Sequence, residues 1–146
     1  MAKALEWGIL AGSVGPRVRL LRNALAARSI AVSTPHGLPT GSLTVLALIA
    51  ANPGSSQTAL AKRAGLNKSA LVGIVDGLEQ RGLVERDRAA SDRRRYQVSV
   101  TAEGARAMET LFALVDREER PIRDALGKRD MIELLALLDR AIAALD

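Results

Sequence analysis

The sequence predicts a mainly α fold carrying one small β-hairpin, and three observations lead there. Apolar residues make up 48% of the 146 but aromatics only 2%. The core must therefore be built from Ala, Leu, Val and Ile, a mix that favours helices over a sandwich or barrel. Most apolar residues recur at helical spacing, in segments punctuated by Gly, Pro and capping residues. Past the middle of the chain, Tyr96, Val98 and Val100 alternate with Arg95, Gln97 and Ser99 as a half-buried strand does. The length suits one domain with a modest core.

Residues 1–13 hold Leu5, Trp7, Ile9 and Leu10, with Gly8 and Gly12 weakening any helix. Trp7, the only tryptophan, reads as a hydrophobic anchor against another helix or subunit. Ser13 is placed to cap a helix with Pro16 in its first turn, where proline is tolerated. Val14, Val18, Leu21 and Leu25 form its stripe, and Thr34-Pro35-His36-Gly37 ends it. His36 has no second histidine and no cysteine to join it, so it reads as a loop residue and not a ligand. A second helix is expected over 40–51, with Leu43, Leu46, Ala47 and Ala50 toward the core, until Asn52-Pro53-Gly54 stops it.

Residues 56–101 are the most informative. Ser56 caps a short helix in which Leu60, Ala61 and Ala64 recur, and Gly65-Leu66 makes a tight turn. Asn67 caps a second helix whose Leu71, Ile74, Val75 and Leu78 form one stripe, closed by Gly82. Leu83 to Arg86 gives a first strand, and Tyr96, Val98 and Val100 alternate with polar neighbours in a second. Between them runs a polar tip, residues 87–94. Helix, turn, helix, hairpin is the order of a winged helix-turn-helix, whose second helix lies in the DNA major groove.

After the hairpin, Thr101 caps a long helix carrying Ala105, Met108, Leu111, Phe112, Val115 and Ile122, with a kink or break expected at Pro121. Met108 and Phe112 read as core at this spacing, not as a ligand pocket. Gly127 separates a last helix, 130–145. Its apolar residues, among them Leu134, Leu135, Leu138, Ile142 and Leu145, wrap well past one face. Such a helix must be buried on both sides, and a second copy of the chain can do that. Trp7 and Ile9 join these five as the expected interface between subunits.

Charge narrows the function. Residues 62–95 hold nine cationic side chains against five acidic ones, an excess of four out of the chain's five. A basic patch confined to one unit is the footprint of a polyanion. The competing reading is a winged-helix module that binds an acidic protein. The sequence carries no nucleophile elbow, no phosphate loop and no metal-spaced His/Cys set, so neither an enzyme nor a cofactor is expected. Glu118-Glu119 beside Arg117 and Arg120 read as solvated ion pairs. With no cysteine there is neither a disulfide nor a thiol sensor. Lys3 before apolar residues has the look of a signal peptide, but Glu6 interrupts it and Arg17, Arg19 and Arg22 follow. No apolar run is long enough to span a membrane. A cytoplasmic protein with an N-terminal helical extension is expected.

LAKRAGLNKSALVGIVDGLEQRGLVER, followed by SDRRRYQVSVTAEG, resembles the multiple antibiotic resistance regulator (MarR) family of bacterial transcription factors. The resemblance covers about residues 14–145 and is most specific in 56–104. It implies a homodimeric winged-helix protein on double-stranded DNA, often a repressor relieved by a small ligand. Residues 1–37 and 102–146 would supply the dimerisation helices and 38–101 the DNA-binding lobe. The chain departs from the family pattern at Gly73, where a polar or basic residue is usual, and at Ser99-Val100, where a leucine often precedes the threonine. The DNA-facing set expected from the helix pair is Ser56, Gln57, Asn67, Lys68, Ser69, Ala70, Val72 and Gly73. The hairpin adds Arg86, Arg88, Asp92, Arg93 and Arg94. Arg94 is the candidate for a narrow minor groove, with Asp92 orienting it. The scarcity of rings favours an aliphatic ligand pocket over a stacked one.

Overall fold

A computed structural model describes residues 5–89 and 92–145, with side chains described outside 88–96. Among the described residues the chain runs α1 (Val14–Ser33), α2 (Ser42–Ala51), α3 (Gln57–Ala64), α4 (Lys68–Gln80), β1 (Val84–Ala89), β2 (Asp92–Val100) and α5 (Ala102–Ala143). Single turns of 3₁₀ helix precede and follow α1, at Gly8–Leu10 and Thr34–His36.

The centre of the molecule is the unit from α2 to the hairpin. Leu71, Ile74, Val75 and Leu78 are buried on one side of α4, each such side chain contributing about 1.5–3 kcal/mol by leaving water. They pack with Val45, Leu46 and Ile49 of α2, Leu60 and Ala61 of α3, and Leu83, Val84 and Val98 of the hairpin. The buried face of α2 is Ser42, Val45, Leu46 and Ile49. Of the face expected from sequence only Leu46 is fully buried, while Ala50 is exposed. Because α2 is apolar nearly all round, its periodicity does not define a face.

The caps form where the residues place them. Ser56 Oγ accepts from the Ala59 N–H at 3.2 Å, and Asn67 Oδ1 accepts from the Ala70 N–H at 2.8 Å. Ser13 takes the N-cap position of α1 without a side-chain bond. Helix α4 closes with the Gly82 N–H on the Glu79 carbonyl and the Leu83 N–H on the Leu78 carbonyl. That paired closure needs a left-handed residue, and Gly82 supplies it at φ 69°.

The strands pair antiparallel from Val84–Val100 to Arg88–Tyr96, with an irregularity between Arg88 and Ala89. Both extend further into the expected tip than the sequence suggests. A single bridge between Ser56 and Gln97 ties the start of α3 to the hairpin. Thr101 then joins hairpin, α4 and α5. Its hydroxyl donates to the Gly82 carbonyl at 2.6 Å and accepts from the Gly104 N–H at 3.0 Å. Gly104 sits so close behind that an added β-carbon would lie 1.9 Å from the Leu83 carbonyl oxygen.

Two expectations for α5 change. Pro121 lies within the helix, and the only non-helical residue in it is Gly127, at φ 72° and ψ 171°, a region essentially restricted to glycine. The kink expected at Pro121 does not form, whereas the interruption expected at Gly127 does, at a residue with no β-carbon to oppose that conformation. Phe112 is not core: it is 56% exposed, whereas Met108 is partly buried against the lobe.

Candidate nucleic-acid interface

Helix α4 presents its N-terminal turn and one long side to solvent. Lys68, Ser69, Ala70 and Gly73 are exposed, Val72 is half-buried, and Asn67 is held at the head by its cap. A groove of about 980 Å³ runs between α3, α4 and β1, lined by Ser56, Gln57, Lys62, Lys68, Val72 and Arg86 among others. The structure thus brings together one part of the expected DNA-facing set in the groove and another on the outer face of α4. Lys68 stands at the first position of α4, where the first-turn N–H groups and the positive end of the dipole make a setting suited to phosphate. The side chains of Arg88, Asp92, Arg93 and Arg94 lie outside the description, and the structure adds only that their backbones belong to the hairpin.

Arg86 is held by two carboxylates of α4. Its guanidinium donates to Asp76 and, at 2.7 Å, to Glu79, with 17% of the side chain exposed. It joins β1 to α4 and neutralises two carboxylates that line the groove with it. Arg81, counted in the basic excess, donates to the carbonyls of Gly37 and Gly77 and braces the turn before α2. The sequence signal for Arg86 was available: Asp76 and Glu79 lie one turn apart on α4 and face the first strand.

A second feature lies on the other side of the lobe. A cavity of about 500 Å³ opens between α1, the start of α2 and α5. Its walls are mostly aliphatic, with Val18, Leu21, Leu25, Leu111, Val115 and Leu138, and no aromatic residue lines it. Arg28 and Glu118 join the lining, Arg28 Nη1 donating to the Glu118 carbonyl at 3.0 Å and lying 3.4 Å from the Glu118 carboxylate. Glu119 pairs with Arg123, not with its neighbour Arg120.

The expected subunit-interface residues are not covered within the chain. Ile9 is 99% exposed, Leu135 52%, Ile142 56% and Leu145 91%, while Leu134 and Leu138 are half-buried. Trp7 lies under the Arg17 guanidinium, 4.5 Å from ring centroid to cation. None of α1 is buried, and in α5 only Gly104 and Leu111 are. No helix among the described residues is long and apolar enough to cross a membrane.

The comparisons with known proteins agree with this geometry. The MarR family model matches residues 36–95. A protein of Thauera aromatica, named for a transcriptional regulatory role at the hcr operon, is 35% identical over 93% of this chain and 82% of its own. The repressor CouR, solved on a 23-mer DNA duplex, is 29% identical and superimposes with a TM-score of 0.81 over 96% of this chain and 99% of that one. CouR from Rhodococcus jostii RHA1, solved with p-coumaroyl-CoA, is 28% identical, with a TM-score of 0.76 over 93% of each chain. With a capped helix-turn-helix, a paired wing and a relative at this identity over nearly its whole length, the chain belongs to the MarR family of transcriptional regulators.

Proposed function

We propose that the protein is a homodimeric repressor that binds a pseudo-palindromic operator and releases it when a small molecule fills the cavity beneath α1. The observation that carries this reading is the open outer face of α4 beside Lys68, on a helix whose opposite face is fully sequestered. In a two-fold dimer the two α4 helices enter successive major grooves about 34 Å apart, and the hairpins follow the flanking minor grooves. The relative solved on a duplex and the one solved with a coenzyme A thioester support the two halves of the reading. The aliphatic cavity suits an apolar effector body, and p-coumaroyl-CoA is the first probe to try. With no cysteine in the chain, effector action is reversible binding and not thiol oxidation.

Selection from a random duplex library tests the DNA half. The wild-type protein should enrich a two-fold repeat. On that duplex Arg94→Ala should weaken binding, most where the flanks are A·T-rich, because it withdraws a cation from the narrow groove. Lys68→Ala should lower the slope of log K against log salt by about 0.9 per subunit, as expected for one lost phosphate contact. Binding that is unchanged in both variants would remove the assignment.

The dimer is tested apart from folding at Leu135, which is 52% exposed in the single chain. Leu135→Asp should leave the lobe folded and shift sedimentation to monomer, since a buried unpaired charge costs several kcal/mol at an interface. A folded wild-type monomer at micromolar concentration would contradict the assembly.

A further inference from the structure

Gly73 stands in the interior of α4 with nothing around it: a β-carbon built there meets no atom within 4 Å. A glycine inside a helix lowers stability relative to alanine, because the unfolded chain loses more freedom and no packing is gained. The other glycine of the helix faces the protein itself, where a β-carbon would be in ordinary contact. A β-carbon at Gly77 would touch Pro39 Cγ at 3.5 Å, where the chain entering α2 crosses the helix. Gly73 has no such neighbour.

Its position on the helix supplies a reason outside the protein. At 3.6 residues per turn, Gly73 lies nearly opposite the stripe of Leu71, Ile74, Val75 and Leu78. Ser69 precedes it by one turn on the same outward line, Val72 is beside it, and Asp76, one turn on, is drawn onto Arg86. The middle of the outward line therefore has no side chain at all. It is a shallow notch, apolar at its floor, on the surface that the proposed function presents to the major groove.

We propose that Gly73 is a specificity-determining position whose notch receives the 5-methyl group of a thymine, once in each half-site. This rests on the DNA-binding reading above. Among the bases only thymine projects a methyl group into the major groove. The polar edge of another base would meet an apolar floor whose backbone groups are already bonded within the helix, and would lose its water without replacement.

The experiment exchanges a methyl group between protein and DNA. The probes are the duplex enriched by the wild-type protein and a set in which each symmetry-related thymine pair is replaced by deoxyuridine, which lacks the methyl. At one pair of positions the wild-type protein should bind the deoxyuridine duplex about fourfold more weakly per half-site, the value of one buried methyl group. Gly73→Ala should bind the unmodified duplex about tenfold more weakly or worse, since its methyl and that of thymine compete for one space. At the same pair of positions deoxyuridine should restore Gly73→Ala toward wild-type affinity. The variant should also melt about 2–4 °C higher, which separates weak binding from poor folding. Binding of Gly73→Ala to the unmodified duplex within twofold of wild type overturns the inference. So does a loss that no deoxyuridine position relieves. Failure of the wild-type protein to enrich any duplex overturns the DNA-binding reading and this inference with it, and is seen before any variant is made.

Discussion

Gly104→Ala should be the most damaging methyl group that can be added to this chain. The new β-carbon would lie 1.9 Å from the Leu83 carbonyl oxygen and 2.9 Å from Val100 Cγ1. The nearer contact cannot relax by turning a side chain, because that atom is backbone. That same carbonyl accepts the Thr101 N–H at 3.1 Å, so moving it breaks the junction between hairpin and α5. Overpacking of this kind costs about 3 kcal/mol or more. The expected result is a melting temperature lowered by about 6–12 °C for a domain of this size, with the loss appearing equally in the presence and absence of DNA. A variant as stable as wild type would mean that α5 can stand away from the lobe without penalty.

Arg86→Gln should damage binding more than folding. In the folded chain the guanidinium neutralises Asp76 and Glu79 from a position 17% exposed, whereas the carboxylates themselves are nearly half exposed. Water screens what is left behind, so the stability cost should be only about 1–2 kcal/mol. Operator affinity should fall further, by about tenfold or more, because two unpaired carboxylates would then face the phosphate backbone from within the groove. Neutralising them in the same background, with Asp76→Asn and Glu79→Gln, should recover part of that loss. If Arg86 touched phosphate directly, the triple variant would bind no better than Arg86→Gln alone.

How much of this was legible depends on what each residue acts upon. Ser56, Asn67, Thr101, Gly65 and Gly82 cap or close helices through backbone within a few residues of themselves, and the sequence places all five correctly, though the second bond of Thr101, to the Gly82 carbonyl, reaches much further. The α4 stripe was legible because its apolar and polar residues separate cleanly at helical spacing. The buried face of α2 was not, since nearly every residue there is apolar. Gly127 was legible as the separator of the last helix, because no residue with a β-carbon holds its conformation cheaply; the kink expected at Pro121 is absent, the helix continuing through it. The demand on Gly104 comes from a carbonyl 21 positions away and leaves no local trace. The pairing of Arg86 with Asp76 and Glu79 was not legible in the charge balance, because charge counts do not reveal which cation is already paired.

The Arg28–Glu118 contact joins residues 90 positions apart, and this separation governs the order in which the molecule is made. During synthesis at about 5–20 residues per second, α1 leaves the ribosome many seconds before the part of α5 that it will meet. The lobe, whose contacts are shorter in range, has time to fold first. Throughout that interval α1 carries Val14, Val18, Leu20 and Leu21 uncovered, an invitation to aggregate. The arginines at 17, 19, 22 and 28 interrupt the apolar residues along its length, and charges so placed act as gatekeepers against premature association. The diluted stripe of α1, weak as a packing surface, is thus a form of protection for the nascent chain.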